Sequence, residues 1–247
     1  MRNFKIVLQY DGTKYQGWQR QVSTDNTIQG KLEALLSKMC GTSVEIQGAG
    51  RTDAGVHAYG QVANFHIDTD KTAAEVMEYM NMYLPEDISV IYCKEVPQRF
   101  HARLNAKGKV YCYHIWNSTS KPIFRRKYVH EVPGELNMTA IRQAADALCG
   151  THDYQSFTST KRGKKSTVRT VDSIAIERVG EEIVFTFKGN GFLYHMVRIM
   201  MGTLIEVGLG IRNAEDIPSI IEAKDRSKAG HLIPGKGLAL MEVTYDN

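Results

Sequence analysis

The segment GAGRTDAGVHAYG, residues 48–60, sets a single carboxylate, Asp53, among the glycines Gly48, Gly50, Gly55 and Gly60. Arg51 stands two positions earlier, so in an extended segment the two side chains share a face. A cation beside a carboxylate keeps it ionised and ready to act as a nucleophile or base. The glycines permit positive φ and let a ligand's backbone come close. A plainer reading is also open, in which Asp-Ala-Gly is simply a turn. His57 follows the same loop. The second group of interest is Arg198, inside FLYHMVRIMMGTLIEVG at 192–208. A helix apolar on nearly every side is a buried helix, and a guanidinium within one must be paired. Glu206, two turns on, is out of reach. Three partners remain open for Arg198: some other acid, water reached by snorkelling, or Asp53 from the first half of the chain. Gly202, one turn on, is expected to leave room for a ligand. Tyr111 and Tyr113 share one face of a strand at 109–117, where they serve either as cross-strand packing or as rings for stacking a base.

The elements that must hold these groups read as one pattern used twice. A strand at 4–10 alternates Phe4, Ile6, Leu8 and Tyr10 onto one face. A helix at 27–39 follows, with strands at 43–47 and 61–67, then a helix from the capping box Thr72-x-x-Glu75 to about Leu84, and a strand at 88–96. The second half has a strand at 109–117 and a helix from Met138 to Cys149 closed by Gly150. A hairpin at 168–179 and 182–188 comes next, then helices at 192–207 and 213–224, and a last strand at 237–245. Two β-α-β-β-α-β units predict an α+β fold of two ferredoxin-like halves, 1–105 and 106–247. Each half is expected to have an antiparallel sheet with helices on one face, the catalytic cleft lying between the halves. A sheet face left open is a common surface for RNA.

Of the 247 residues 43% are hydrophobic and 23% charged, as in soluble globular proteins. No apolar run is long enough to span a bilayer, and MRNFKIVLQYDG lacks the features of a signal peptide, so the cytoplasm is the expected compartment. Cys40, Cys93, Cys112 and Cys149 are widely spaced, which predicts reduced cysteines rather than a disulfide frame. The histidines show no metal-ligand spacing. The net charge of +4 is uneven: residues 1–105 carry 11 basic and 12 acidic groups, and residues 106–247 carry 20 and 15. The excess gathers in KPIFRRK (121–127) and TKRGKKS (160–166), which are either solvated loops or tracks for a phosphate backbone. GHLIPGKG lacks the hydroxyl of a phosphate loop and precedes a strand, and GAGRTD lacks the third glycine of a dinucleotide fingerprint. Neither ATP nor NAD is supported, and no cofactor is expected.

The segments LQYDGTKYQGWQRQ (8–21), GAGRTDAGVHA (48–58), RFHARLNAKGKVYCY (99–113), GNGFLYHMVRIMMGTL (189–204) and GLALMEV (237–243) resemble, in order, the successive motifs of the TruA family of tRNA pseudouridine synthases. GRTDAGVHA is the most specific, and the resemblance covers nearly the whole chain. It implies Asp53 as the catalytic aspartate, Tyr111 as the active-site tyrosine and Arg198 as the arginine pairing with the aspartate. Arg51, His57, Tyr111 and Leu240 form the expected substrate-binding set. The implied substrate is the anticodon stem–loop of tRNA, at its positions 38–40, bound by a homodimer. Uridine would be detached at its C1′–N1 bond, turned and rejoined through C5, with Asp53 attacking C1′ or C6 or removing a sugar proton. Two rivals are a non-catalytic RNA-binding protein of the same architecture and a sibling enzyme acting on ribosomal RNA.

Overall fold

Phe4, Ile6, Leu8 and Tyr10 all turn inward along the first strand, β1 (Arg2–Tyr10), each at most 4% exposed. The computed structural model describes residues 1–160, 163 and 166–246. Lys161, Arg162, Lys164 and Lys165 of the second basic run, and the phosphate track expected there, lie outside the described residues. The chain forms two compact units: Met1–Lys107 with Ala239–Asn247, and Gly108–Leu238.

In the first unit, β1 is followed by α1 (Ile28–Cys40), β2 (Ile46–Gly48), β3 (His57–Ile67), α2 (Ala73–Tyr83) and β4 (Ile88–Val96). The strand order is β4–β1–β3, with β2 also paired to β3, and all of these pairs are antiparallel. Thr27 caps α1 through the Gly30 amide, and Gly41 ends it in the left-handed conformation. The capping box of α2 forms as the spacing predicts: the Thr72 hydroxyl accepts from the Glu75 amide while the Glu75 carboxylate accepts from the Thr72 amide. Glu33 of α1 is buried because it accepts from both Gln29 and the Ile46 amide, which fastens β2 to the helix.

The second unit contains β5 (Ala106–Trp116), β6 (His130–Glu131), α3 (Met138–Ala147), β7 (Gly150–Asp153), β8 (Val168–Val179), β9 (Glu182–Gly189), α4 (Met196–Gly208) and α5 (Ile217–Ala223). Its sheet runs β5–β9–β8–β7, antiparallel throughout, and β6 adds a short parallel pairing to β5. The last strand, β10 (Leu238–Tyr245), pairs in parallel with β3 through Ala239–His57 and Leu240–Ala58.

The architecture is mixed α+β, and several details depart from expectation. The helix expected from 192 begins only at Met196, because His195 sits at φ 65 and Phe192 is drawn against Tyr111. The segment 213–224 is a 3₁₀ turn (Ala214–Asp216) followed by α5, with Pro218 in the first helical turn, where its missing N–H does no harm. The helix before Gly150 stops at Ala147, and Gly150, at φ 113, opens β7 instead of closing the helix. β6 and β7 have no counterpart in the pattern read from sequence. The sheets are also not wholly antiparallel, since β6 and β10 each add a two-residue parallel pairing. The four cysteines are free, as expected, and half-buried.

Candidate active site

Asp53 opens a β-turn: the Val56 amide donates to its carbonyl at 3.2 Å, and Gly55 takes φ 74, a conformation that suits glycine. The turn reading of Asp-Ala-Gly is therefore correct for the backbone and leaves Asp53 half-buried at its start. Arg51 is exposed, Thr52 is buried and Asp53 is half-buried, the alternation of an extended segment with Thr52 facing inward.

What holds this loop comes from residues 10–18 and from Gln61 of β3. The Thr52 hydroxyl meets the Tyr10 hydroxyl at 2.8 Å, and Gln61 donates to the Gly50 carbonyl at 3.0 Å. Burial pushes the Tyr10 phenol up to about 12, its bonds to Thr52 and Gln61 notwithstanding. The Trp18 amide donates to the Thr52 carbonyl at 2.9 Å, and the Gly55 amide to the Tyr15 carbonyl at 3.3 Å. This approach needs glycine on the opposing segment. A Cβ on Gly12 would overlap the Val56 carbonyl, and one on Gly17, already at φ 91, would lie 2.6 Å from the Thr52 carbonyl oxygen. The indole of Trp18 takes the space beside Gly48, where a Cβ would come within 2.6 Å of it. Gly60 leaves room for the Met241 carbonyl of β10.

His57 and Leu240, both expected in the substrate-binding set, are placed beneath the surface at 5% and 0% exposure. His57 accepts the Gly12 amide at Nδ1, 3.1 Å away, with Asp11 Oδ1 3.2 Å from the same nitrogen. His57 thus braces the residue 11–12 corner, and Leu240 packs where β10 joins β3.

In the second unit the face of β5 that carries Tyr111 and Tyr113 is the buried one. Tyr113 is fully buried and donates to the Pro234 carbonyl at 2.7 Å, so it is packing rather than a stacking surface. Burial raises its phenol strongly while the charge of Arg198 pulls the other way, which places that guanidinium in its neighbourhood. Tyr111, 7% exposed, meets Phe192 edge-on at 5.4 Å. Phe192 is thereby held by the turn that leads into α4, the helix of Arg198. Arg198 is half-buried and donates from Nε to the Ile233 carbonyl at 2.8 Å, which aims the rest of the guanidinium. Glu206 is committed elsewhere, accepting from Arg212 and His231. The space expected beside Gly202 for a ligand is filled by the chain itself: a Cβ there would overlap the His231 carbonyl. Gly202 lets residues 230–233 lie on α4, and those residues supply the carbonyl that orients Arg198.

Sequence reading missed the supports. The glycines at 12 and 17 within YDGTKYQGW were the available signal, since two glycines five apart in an otherwise bulky stretch mark a close backbone approach. Among the described residues no group of three His, Cys, Asp or Glu is placed to hold a metal, and no helix is long and apolar enough to cross a membrane.

Residues 6–105 and 144–246 match the model of a tRNA pseudouridine synthase family, which makes the chain one of the uridine-isomerising enzymes. The chain belongs to the TruA family of tRNA pseudouridine synthases, a family of isomerases. It is 50% identical over 245 residues to tRNA pseudouridine synthase A of Bacillus sp. (strain KSM-64), and 47% identical to tRNA pseudouridine synthase A 2 of Bacillus cereus (strain ZK / E33L). It is 42% identical to tRNA pseudouridine synthase A of Acetivibrio thermocellus, and each match spans 99% of this chain and 100% of the relative. A solved Cbf5-Nop10-Gar1 complex aligns at TM-score 0.34 and 13% identity, over 86% of this chain and 42% of that one, too loosely to bear on the site.

Proposed function

We propose that this protein isomerises uridine to pseudouridine in the anticodon stem–loop of tRNA, with Asp53 as the reacting carboxylate, Arg198 as its ion partner and Tyr111 against the target base. The C1′–N1 bond breaks, C1′ joins C5, the C5 hydrogen leaves as a proton and N1 gains one, so neither redox partner nor energy input is needed. Asp53 begins by attacking C1′, by attacking C6, or by removing a sugar proton; all three require an ionised acid, which a guanidinium favours. The target base lies in a folded stem and is flipped out at a cost of a few kcal/mol. Each half is read as a split βαβ unit, supported in the first by the pairings of β4, β1, β3 and β2, and in the second by β5–β9–β8 with α3 and α4 as its helices. The working form is read as a homodimer, after the resemblance to the family.

The observation that carries this reading is the setting of Asp53: a half-buried acid at a turn fixed by close backbone approaches from residues 12, 15, 17 and 18. Asp53→Asn keeps the shape and removes the charge. The expected result is unchanged tRNA binding with release of tritium from C5-labelled uridine abolished. Persistent release in that variant refutes the assignment. Pseudouridine missing from ribosomal RNA of a deletion strain, with the anticodon arm intact, would favour the sibling activity.

A further inference from the structure

The basic run KPIFRRK has an unusual tip: Phe124 is 93% exposed and Ile123 beside it 56%. A phenyl ring so fully in water does no packing for this chain, and with Ile123 beside it forms a small apolar tip that a partner can cover. The loop that carries it is braced. The Arg125 amide donates to the Pro122 carbonyl at 2.9 Å and the Tyr128 amide to the Arg125 carbonyl at 2.8 Å. The Arg125 guanidinium grips Glu182 at both oxygens, at 2.6 and 3.1 Å, and the Arg126 guanidinium turns back onto the Ile123 carbonyl. Lys236 donates to the Arg126 carbonyl at 3.2 Å. The ring is thus presented at low entropic cost.

Its surroundings select the partner. Lys121, Arg126 and Lys127 are exposed around it, and no Asp or Glu occurs from Ser118 to His130. Arg125 is neutralised by Glu182, which leaves three exposed cations within three positions of the aromatic ring along the chain. Single-stranded nucleic acid takes such a surface, phosphates on the cations and a base on the ring. Two copies of the same loop would instead bring six like charges together, which opposes self-association through it.

We propose that Phe124 stacks on an unpaired base of the bound tRNA while Lys121, Arg126 and Lys127 hold the flanking phosphates. This rests on the tRNA reading above and adds an anchor at a different place. The test measures equilibrium binding of the full chain to an unmodified tRNA transcript across a salt series. Phe124→Ala is expected to weaken binding about 5- to 100-fold, the worth of one stacked base, with the salt slope unchanged. Phe124→Tyr should restore wild-type affinity. The double variant Arg126→Gln with Lys127→Gln should instead flatten the salt slope by about one for each phosphate no longer neutralised. Wild-type affinity in Phe124→Ala overturns the proposal, as does a fall in sedimentation mass that accounts for the weaker binding. Absence of tritium release by the wild-type protein would refute the catalytic reading while these binding results still decide the stacking.

Discussion

At the scale of single residues, the candidate groups were more legible than their supports. Asp53 declares itself by its glycine neighbours, and Arg198 by its apolar ones, because a charge in the wrong company is visible in one dimension. Thr52, Tyr10 and Gln61 carry no such mark, since their meaning lies in pairings between residues 42 and 51 positions apart. Gly202 shows the opposite failure. Its place on the helix was read correctly, but the void beside it is filled by the Ile233 segment, which no local pattern announces. Gly17→Ala tests the sculpting of the Asp53 loop. The residue sits at φ 91 with the Thr52 carbonyl in the way, so the variant is expected to lose about 1–3 kcal/mol of stability and to lower kcat more than tRNA affinity. Chemical denaturation beside single-turnover kinetics would check it; a fully active, equally stable variant would show that the approach is not needed.

At the scale of elements, periodicity located nearly every helix and strand, and the misses came from tertiary demands. The start of α4 was set by Phe192 reaching Tyr111, and β6 and β7 are too short to show a period. Ion pairs between elements then dictate a pH response. Burial works against ionisation of Glu206, but bonds from His231 and Arg212 outweigh it and hold its carboxyl below the usual range. Burial opposes Glu182 likewise, and Arg125 and His114 prevail. Both folded values lie below the unfolded ones, so their stabilisation is present at neutral pH and fades as pH drops below about 4.3. His130 is held down chiefly by burial, then by Lys236 and His231, so the fold favours its neutral form. The unfolded chain therefore takes up that proton first, and stability declines as pH falls from about 6.5. Urea midpoints followed from pH 8 to 3 should show this earlier decline, and His130→Gln should remove it. Glu206→Gln is expected to cost about 1.5–3 kcal/mol at pH 7 and to blunt the later, acidic loss. An unaltered acid limb would place the sensitivity elsewhere.

At the scale of the whole molecule, the repeat proposed from sequence divides the chain between 105 and 106. Compactness groups the elements differently, because Ala239–Asn247 belongs with the residues of the first unit. A linear reading has no means to assign a terminal strand to a sheet begun two hundred residues earlier. Ala239 and Leu240 pair with His57 and Ala58, just past the turn of Asp53, and Gly60 admits the Met241 carbonyl. Ending the chain at Leu238 should therefore leave the second unit's helices intact by circular dichroism. Amide exchange at residues 57–60 should rise by orders of magnitude, and turnover should vanish. Protection unchanged at those amides would mean that β10 is dispensable.

That return also carries a consequence in time. Residues 57 and 58 are synthesised 182 positions before Ala239 and Leu240, so the pairing beside the turn of Asp53 forms only after the second unit has been made. A chain stopped short of Ala239 lacks that pairing, whatever else of it has folded.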